Sequence, residues 1–326
     1  MDIAVLLPGG GSCGAFQIGV LDALVHQDGL DVGLFAGIST GSIQALGAAQ
    51  DRIPDLRKLW ESIRSEQDVY RKRRLGLAGA LALGRSSLFE NSPLRRKIRE
   101  FHDQEALRRS GKGLMVGAVR LQDGELLYFN EDDADIAEWV IASDASPGPD
   151  QPVSHRNDGQ WVAGSARELS PIGAVLKRRP KAILVIAAKN LNREVRRHKQ
   201  PFYDSLSIAM RAAEILSREV LERDINRARR INGLVRAAKA QERALKELEI
   251  SDVDRQRVLR SINEQIAGYR DVPIAVIEAD PAYILPHSAR FQPDEIRRLI
   301  AHGEVVARRA ETQALIADLK RRAGIG

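Results

Sequence analysis

Two glycine-framed turns stand near the start of the chain, Gly9-Gly10-Gly11-Ser12-Cys13-Gly14 and Gly37-Ile38-Ser39-Thr40-Gly41-Ser42. Each follows an apolar strand-like run, Ile3 to Leu7 and Leu34 to Ala36, and each precedes a helix-like one. A chain that repeats strand, glycine turn and helix builds a parallel sheet with helices packed on it. Both turns then fall at the carboxyl edge of the sheet, where open α/β folds bind ligands. The chain must turn sharply before Ser39, and Gly37 and Gly41 lack the Cβ that would collide with backbone in a strained strand-to-helix elbow. With Ile38 and Thr40 flanking it, the Ser39 hydroxyl is thereby exposed at a helix N-terminus as a candidate nucleophile. The first turn supplies the complement. Gly10, Gly11 and Cys13 can present backbone N–H groups to a developing oxyanion, aided by the positive end of the helix from Ala15 onward.

Further along, the pattern gives helices near 15–26, 41–50 and 54–64, and a hairpin of 113–119 with 125–129 around Gln122-Asp123-Gly124. The continuous apolar run from Lys181 to Ala188 reads as a central strand buried on both faces. Ser205 to Gly268 reads as charge-rich helix divided at Asn232-Gly233, 272–279 as a last strand at an edge because of Pro273, and 293–322 as a terminal amphipathic helix. The expected fold is a three-layer α/β/α arrangement with a mainly parallel sheet. Residues 1–190 form its core, and 191–326 are a helical elaboration of the same domain carrying one further strand.

Composition narrows the partners. With 326 residues and 44% hydrophobic content the chain can bury a substantial core. Its one cysteine, Cys13, excludes an internal disulfide and agrees with a reducing compartment. Met1 to Leu7 has no basic flank and reads as a strand, not a secretory signal, so a cytoplasmic location is expected. The net charge of +6 favours acidic partners. Arg71-Lys72-Arg73-Arg74 sits directly before the apolar stretch 75–84, an arrangement suited to peripheral docking on an anionic membrane surface, with Leu77, Leu81 and Leu83 inserted. A buried helix with a solvated basic cap fits the same residues. With 5% aromatic residues and no binding motif, nucleic acid is not expected. No metal ligands have convincing spacing, no cofactor is implied, and a homo-oligomer is unsupported.

The order of a glycine loop at the N-terminus followed by a G-x-S-x-G elbow resembles the patatin-like phospholipases, lipid acyl hydrolases that use a Ser-Asp dyad. Ile141-Ala142-Ser143-Asp144-Ala145-Ser146-Pro147-Gly148, followed by Gln151-Pro152-Val153, is similar to the family's alanine/serine-rich segment. Arg167-Glu168-Leu169-Ser170-Pro171-Ile172 is similar to the stretch after its catalytic D-G-[GA]. The resemblance implies that Ser39 attacks an ester of a phospholipid or related acyl lipid, that N–H groups within Gly9 to Gly14 hold the oxyanion, and that an acyl-enzyme is hydrolysed by water. Two positions depart from the pattern. Cys13-Gly14 replaces a basic residue and glycine. If Val153 to Arg156 and Gln160 to Val162 are hairpin strands around Asn157-Asp158-Gly159, the family's aspartate position is Ala163, followed by Gly164-Ser165. Alanine cannot accept the Ser39 proton. Either an Asp-to-Ala change has inactivated an enzyme, or the chain is a non-catalytic lipid-binding or regulatory relative. Asp158 is the competing base.

Other readings of the same residues compete. Gly9-x-Gly11-x-x-Gly14 with Asp31 also fits a dinucleotide fingerprint, although Asp31 precedes the Leu34 strand instead of ending it. A Ser-His-Asp triad would need His155, His198, His287 or His302, none with a distinctive flank. Ser42, Ser143 and Ser146 lack a glycine frame and read as capping residues. Cys13 reads as a small packed residue.

Overall fold

The computed structural model describes residues 2–72, 87, 89–147, 149–155, 159–188, 191, 205–248, 250–283 and 291–325. Its strands are β1 (Ile3–Leu7), β2 (Leu34–Gly37), β3 (Arg71–Lys72), β4 (Phe89–Glu90), β5 (Gly113–Arg120), β6 (Leu126–Asn130), β7 (Val153–Ser154), β8 (Gln160–Ala163), β9 (Ala182–Ala187) and β10 (Ile274–Glu278). The helices are α1 (Gly14–Leu21), α2 (Thr40–Ala49), α3 (Ile53–Glu61), α4 (Ser92–Phe101), α5 (Gln104–Ser110), α6 (Ile136–Asp144), α7 (Ile172–Lys177), α8 (Ser205–Lys246), α9 (Asp252–Ile266), α10 (Pro293–Arg308) and α11 (Ala310–Ala323).

The main sheet runs β10-β9-β1-β2-β5-β8-β7, with β6 also paired to β5. From β10 to β5 every pairing is parallel, while β6, β7 and β8 are antiparallel. The alternation of side chains along β1 divides the apolar interior. Ile3, Val5 and Leu7 join one core with residues of α1, α2 and α10, whereas Ala4 and Leu6 join a second with Ile172 and Val175 of α7 and Leu221 and Ile225 of α8. Central strands covered on both faces read as unbroken apolar runs, as β1 and β9 do. The result is the expected three-layer α/β/α fold. Residues beyond 191 add β10 at the sheet edge, paired in register with β9 from Ile274↔Ile183 to Glu278↔Ala187.

Two boundaries differ from the sequence pattern. Asn232-Gly233 does not divide the long helix, because α8 continues from Ser205 to Lys246. The buried Asn232 amide donates to Val272 O at 2.6 Å and accepts the Val272 N–H at 3.1 Å, so a tertiary contact uses the side chain that a turn would need. The terminal helix is two helices, broken at Arg309, whose ψ is 145° and whose guanidinium grips Asp280 at 2.8 and 2.5 Å. Of the basic-apolar stretch, Arg71 and Lys72 form β3 against β4, and residues 73–84 lie outside the described residues. Among the described residues no helix is long and apolar enough to cross a membrane.

Candidate active site

Ser39 ends β2 and precedes the first turn of α2 with φ 56° and ψ −137°. Such a backbone costs a non-glycine residue about 1–3 kcal/mol and persists only where the surroundings impose it. Here they do. The Ser39 N–H donates to Ser143 Oγ at 3.0 Å, and the Ser39 carbonyl accepts both the Ser42 N–H and the Ser42 hydroxyl at 2.7 Å. Gly37 and Gly41 are required by close approach, since a Cβ on them would lie 2.1 Å from Gly41 O and 1.8 Å from Leu7 O respectively. Ser42 and Ser143 are therefore braces of the elbow as well as helix residues, a role that no local pattern marks.

The glycine loop lies directly against this elbow. A Cβ on Gly9 would stand 2.8 Å from Ser39 Cβ and 3.3 Å from Ser39 Oγ. Gln17 of α1 holds the loop's entry by donating to Pro8 O at 2.9 Å and Ile186 O at 2.8 Å. Among the described residues the N–H groups of Gly10 and Gly11 meet no acceptor, and they precede the N-terminus of α1. Ser12 and Cys13 are buried, in keeping with a packed cysteine. Asp31 is exposed and precedes β2, so it does not close a nucleotide crevice.

Ala163 occupies the end of β8 and is fully buried. Along β5, Gly37 of β2 pairs with Val116 and Ala163 pairs with Ala118, so the ends of the two strands converge. A Cβ on Gly164 would meet Ile38 Cγ2 at 3.2 Å, and Gly164 begins the short helical turn that follows, with Ser165 inside it. Position 163 is thus near the elbow, yet it offers no acceptor. Asp158 lies outside the described residues, as do His198 and His287. His155 is engaged with Asp135 at 3.1 Å, and His302 accepts the Asp280 N–H at 3.0 Å.

One carboxylate does reach the serine, and the sequence pattern passed over it. Asp144, the last residue of α6, places Oδ1 3.5 Å from Ser39 Oγ and accepts the Thr40 hydroxyl at 3.3 Å. Burial, and then repulsion from Asp150, push its carboxyl up to about 8, against the Thr40 and Ser39 hydrogen bonds and the nearby Arg95 charge. Burial also raises Asp150 to about 6, against a Ser146 N–H bond and Arg95. Thr40 and Asp144 line a pocket whose apolar walls are Ile43, Leu59, Trp60, Ile63, Val69, Leu94 and Phe291, with Lys97 also on its lining. Among the described residues no cluster of three or more metal-ligating side chains occurs.

A stability prediction follows from the Asp144 shift. The unfolded chain releases this proton near 3.8, while the folded chain keeps it to about 8, so the folded state loses ground as pH rises between those values. Asp144→Asn removes the ionisation. Its stability relative to the parent should grow from pH 5 to pH 8 by at most roughly 1.4 kcal/mol per pH unit, read from urea unfolding midpoints. An advantage that stays flat across that range counts against the raised carboxyl.

A search among curated proteins gives no match. Among solved structures, the chain is similar to that of VipD from Legionella pneumophila, with 16% identity, a TM-score of 0.43, and coverage of 97% of this chain and 67% of that one. The family model described as Patatin-like phospholipase matches residues 5–176, which takes in the glycine loop, the elbow, α6 and β8. That match extends over more than half of the chain, which therefore belongs to the patatin-like phospholipase family.

Proposed function

We propose that the protein is a serine acyl hydrolase of the phospholipase A or lysophospholipase type, with Ser39 as nucleophile. The observation that carries this reading is the placement of Ser39: a strained elbow, a glycine loop in contact with it, and an apolar pocket beginning at its neighbours Thr40 and Asp144. The pocket walls suit an acyl chain, because each buried methylene contributes about 0.8 kcal/mol. An ester carbonyl beside Ser39 would stand between Ser39 Oγ and the N–H groups of Gly10 and Gly11, which meet no acceptor among the described residues and would take the charge of the tetrahedral intermediate. The basic stretch Arg71 to Arg74 supports approach to an anionic lipid surface, on sequence grounds.

Ala163 favours a second reading, a protein that binds acyl lipid without cleaving it, since the dyad aspartate of the family pattern is missing there. Fatty-acid release from lysophospholipid micelles separates the two. For the hydrolase, release is measurable and falls by at least about 10³-fold in Ser39→Ala, because the attacking atom is gone. For the binder, acyl lipid is retained with no release above background, and Ser39→Ala changes nothing.

A further inference from the structure

We propose that Asp144, at the C-terminal end of α6, is the general base for Ser39 in this chain, standing in for the aspartate missing at position 163. The inference rests on the reading of Ser39 as nucleophile. Three observations carry it. Among the described residues the Asp144 carboxylate is the acidic group that reaches the serine, with Oδ1 3.5 Å from Oγ, a separation at the outer limit of a hydrogen bond and of the kind that tightens once substrate is seated. The preceding residue, Ser143, accepts the Ser39 N–H at 3.0 Å, so the end of α6 is fastened to the elbow at two successive residues and the base moves with the nucleophile. The two candidate positions are also neighbours in space, because the Ala163 N–H donates to Ala145 O at 2.7 Å. A carboxylate carried from the end of β8 to the end of α6 can therefore approach the same hydroxyl from an adjoining segment.

The alternative role for Asp144 is structural, a carboxylate near the N-terminus of α2 that binds Thr40 and favours the helix dipole. That role needs no place on an apolar pocket. Instead, Asp144 lines the apolar pocket, and its carboxyl is held well above the ordinary carboxylate range, which places a base near neutral pH, where proton transfer is most effective. The groups that set this value come from several elements: Asp150 before β7 raises it, Arg95 of α4 and the Ser39 and Thr40 hydroxyls lower it, and Lys97 of α4 shares the pocket.

The chemistry balances on these two residues. As the Ser39 O–H bond breaks, its proton passes to Asp144 and Oγ bonds to the ester carbonyl carbon, whose π pair moves onto oxygen. Collapse breaks the bond to the alcohol oxygen, which leaves with the proton from Asp144. Water then replaces the alcohol: it gives a proton to Asp144, adds to the acyl carbon, and Ser39 departs with that proton as the fatty acid is released.

The test is kcat/KM for p-nitrophenyl butyrate between pH 5 and 9 with the full chain and its variants, each checked for folding by circular dichroism. Activity should rise with pH through an inflection near 8, Asp144→Asn should lose about 10²–10⁴-fold together with that inflection, and Asp150→Asn should move the inflection to lower pH by removing a repelling charge. Retained turnover in Asp144→Asn, with turnover abolished in Ser39→Ala, overturns the base and leaves the hydrolase reading intact. A parent chain that is inert but becomes active through Ser39 on Ala163→Asp overturns it equally. Turnover that survives Ser39→Ala, or folded proteins that are inert in every variant, sinks the hydrolase reading and the base with it.

Discussion

Gly41→Ala is expected to cost at least about 2–3 kcal/mol of stability and about 10²-fold or more in activity per folded molecule. The added Cβ would lie 1.8 Å from the carbonyl oxygen of Leu7 and 2.6 Å from its carbon, and neither belongs to a side chain that can swing aside. Leu7 ends β1, where it pairs with Gly37 of β2, while its neighbour Leu6 pairs with Val185 of β9. Relief therefore requires either lifting α2 from the sheet or bending the central strand. Lifting α2 moves the Ser39 backbone away from Ser143 and Asp144, and a displacement of about 1 Å at a reacting atom is enough for the stated loss of rate. Guanidinium unfolding and turnover corrected for the folded fraction would read both effects. Wild-type stability and activity in this variant would show that the elbow is not held by backbone contact.

The parts of the site that were legible in the sequence are those whose geometry is local. An elbow needs small residues two before and two after its nucleophile, and Gly37 and Gly41 meet that need within a five-residue span, so the motif and its strain are read together. The same holds for the strands: β9 must be covered on both faces, and its run of apolar residues says so directly. Asp144 is different. It stands 105 residues from Ser39, at the end of a helix most of whose other residues are buried, and no spacing rule links it to the elbow. What could have drawn attention to it is a chemical signal: a lone carboxylate interrupting Ile141-Ala142-Ser143 and Ala145, among small and apolar residues. An ionisable group in such a setting is either paired or used. Asn232 shows the reverse error, since Asn-Gly favours a turn locally but the Asn232 amide is committed to Val272, forty residues away, and the helix runs through.

Gly9→Val should separate the chemistry from the fold. At Gly9 a Cβ would meet Ser39 Cβ at 2.8 Å, Ile38 O at 3.0 Å and Ser39 Oγ at 3.3 Å, so a valine presses on Ser39, the proposed nucleophile, and pushes the loop away from it. The N–H groups of Gly10 and Gly11 would then lose their aim at the developing oxyanion, and loss of one such donor is worth about 2.7–4 kcal/mol, or roughly 10²–10³ in kcat. The stability cost should be smaller than that of Gly41→Ala, because the closest approach is 2.8 Å to Ser39 Cβ, where the Gly41 variant would meet the Leu7 carbonyl oxygen at 1.8 Å. Gly233→Ala supplies the control. It lies within α8, where a new Cβ meets nothing within 4 Å, so it should leave turnover unchanged and stabilise the chain by up to about 1 kcal/mol through helix propensity alone. If Gly9→Val and Gly233→Ala were equally active on p-nitrophenyl butyrate, the glycine loop would have no part in holding the oxyanion. A kcat loss confined to Gly9→Val, with KM little changed, is the result expected of a group that acts only in the transition state.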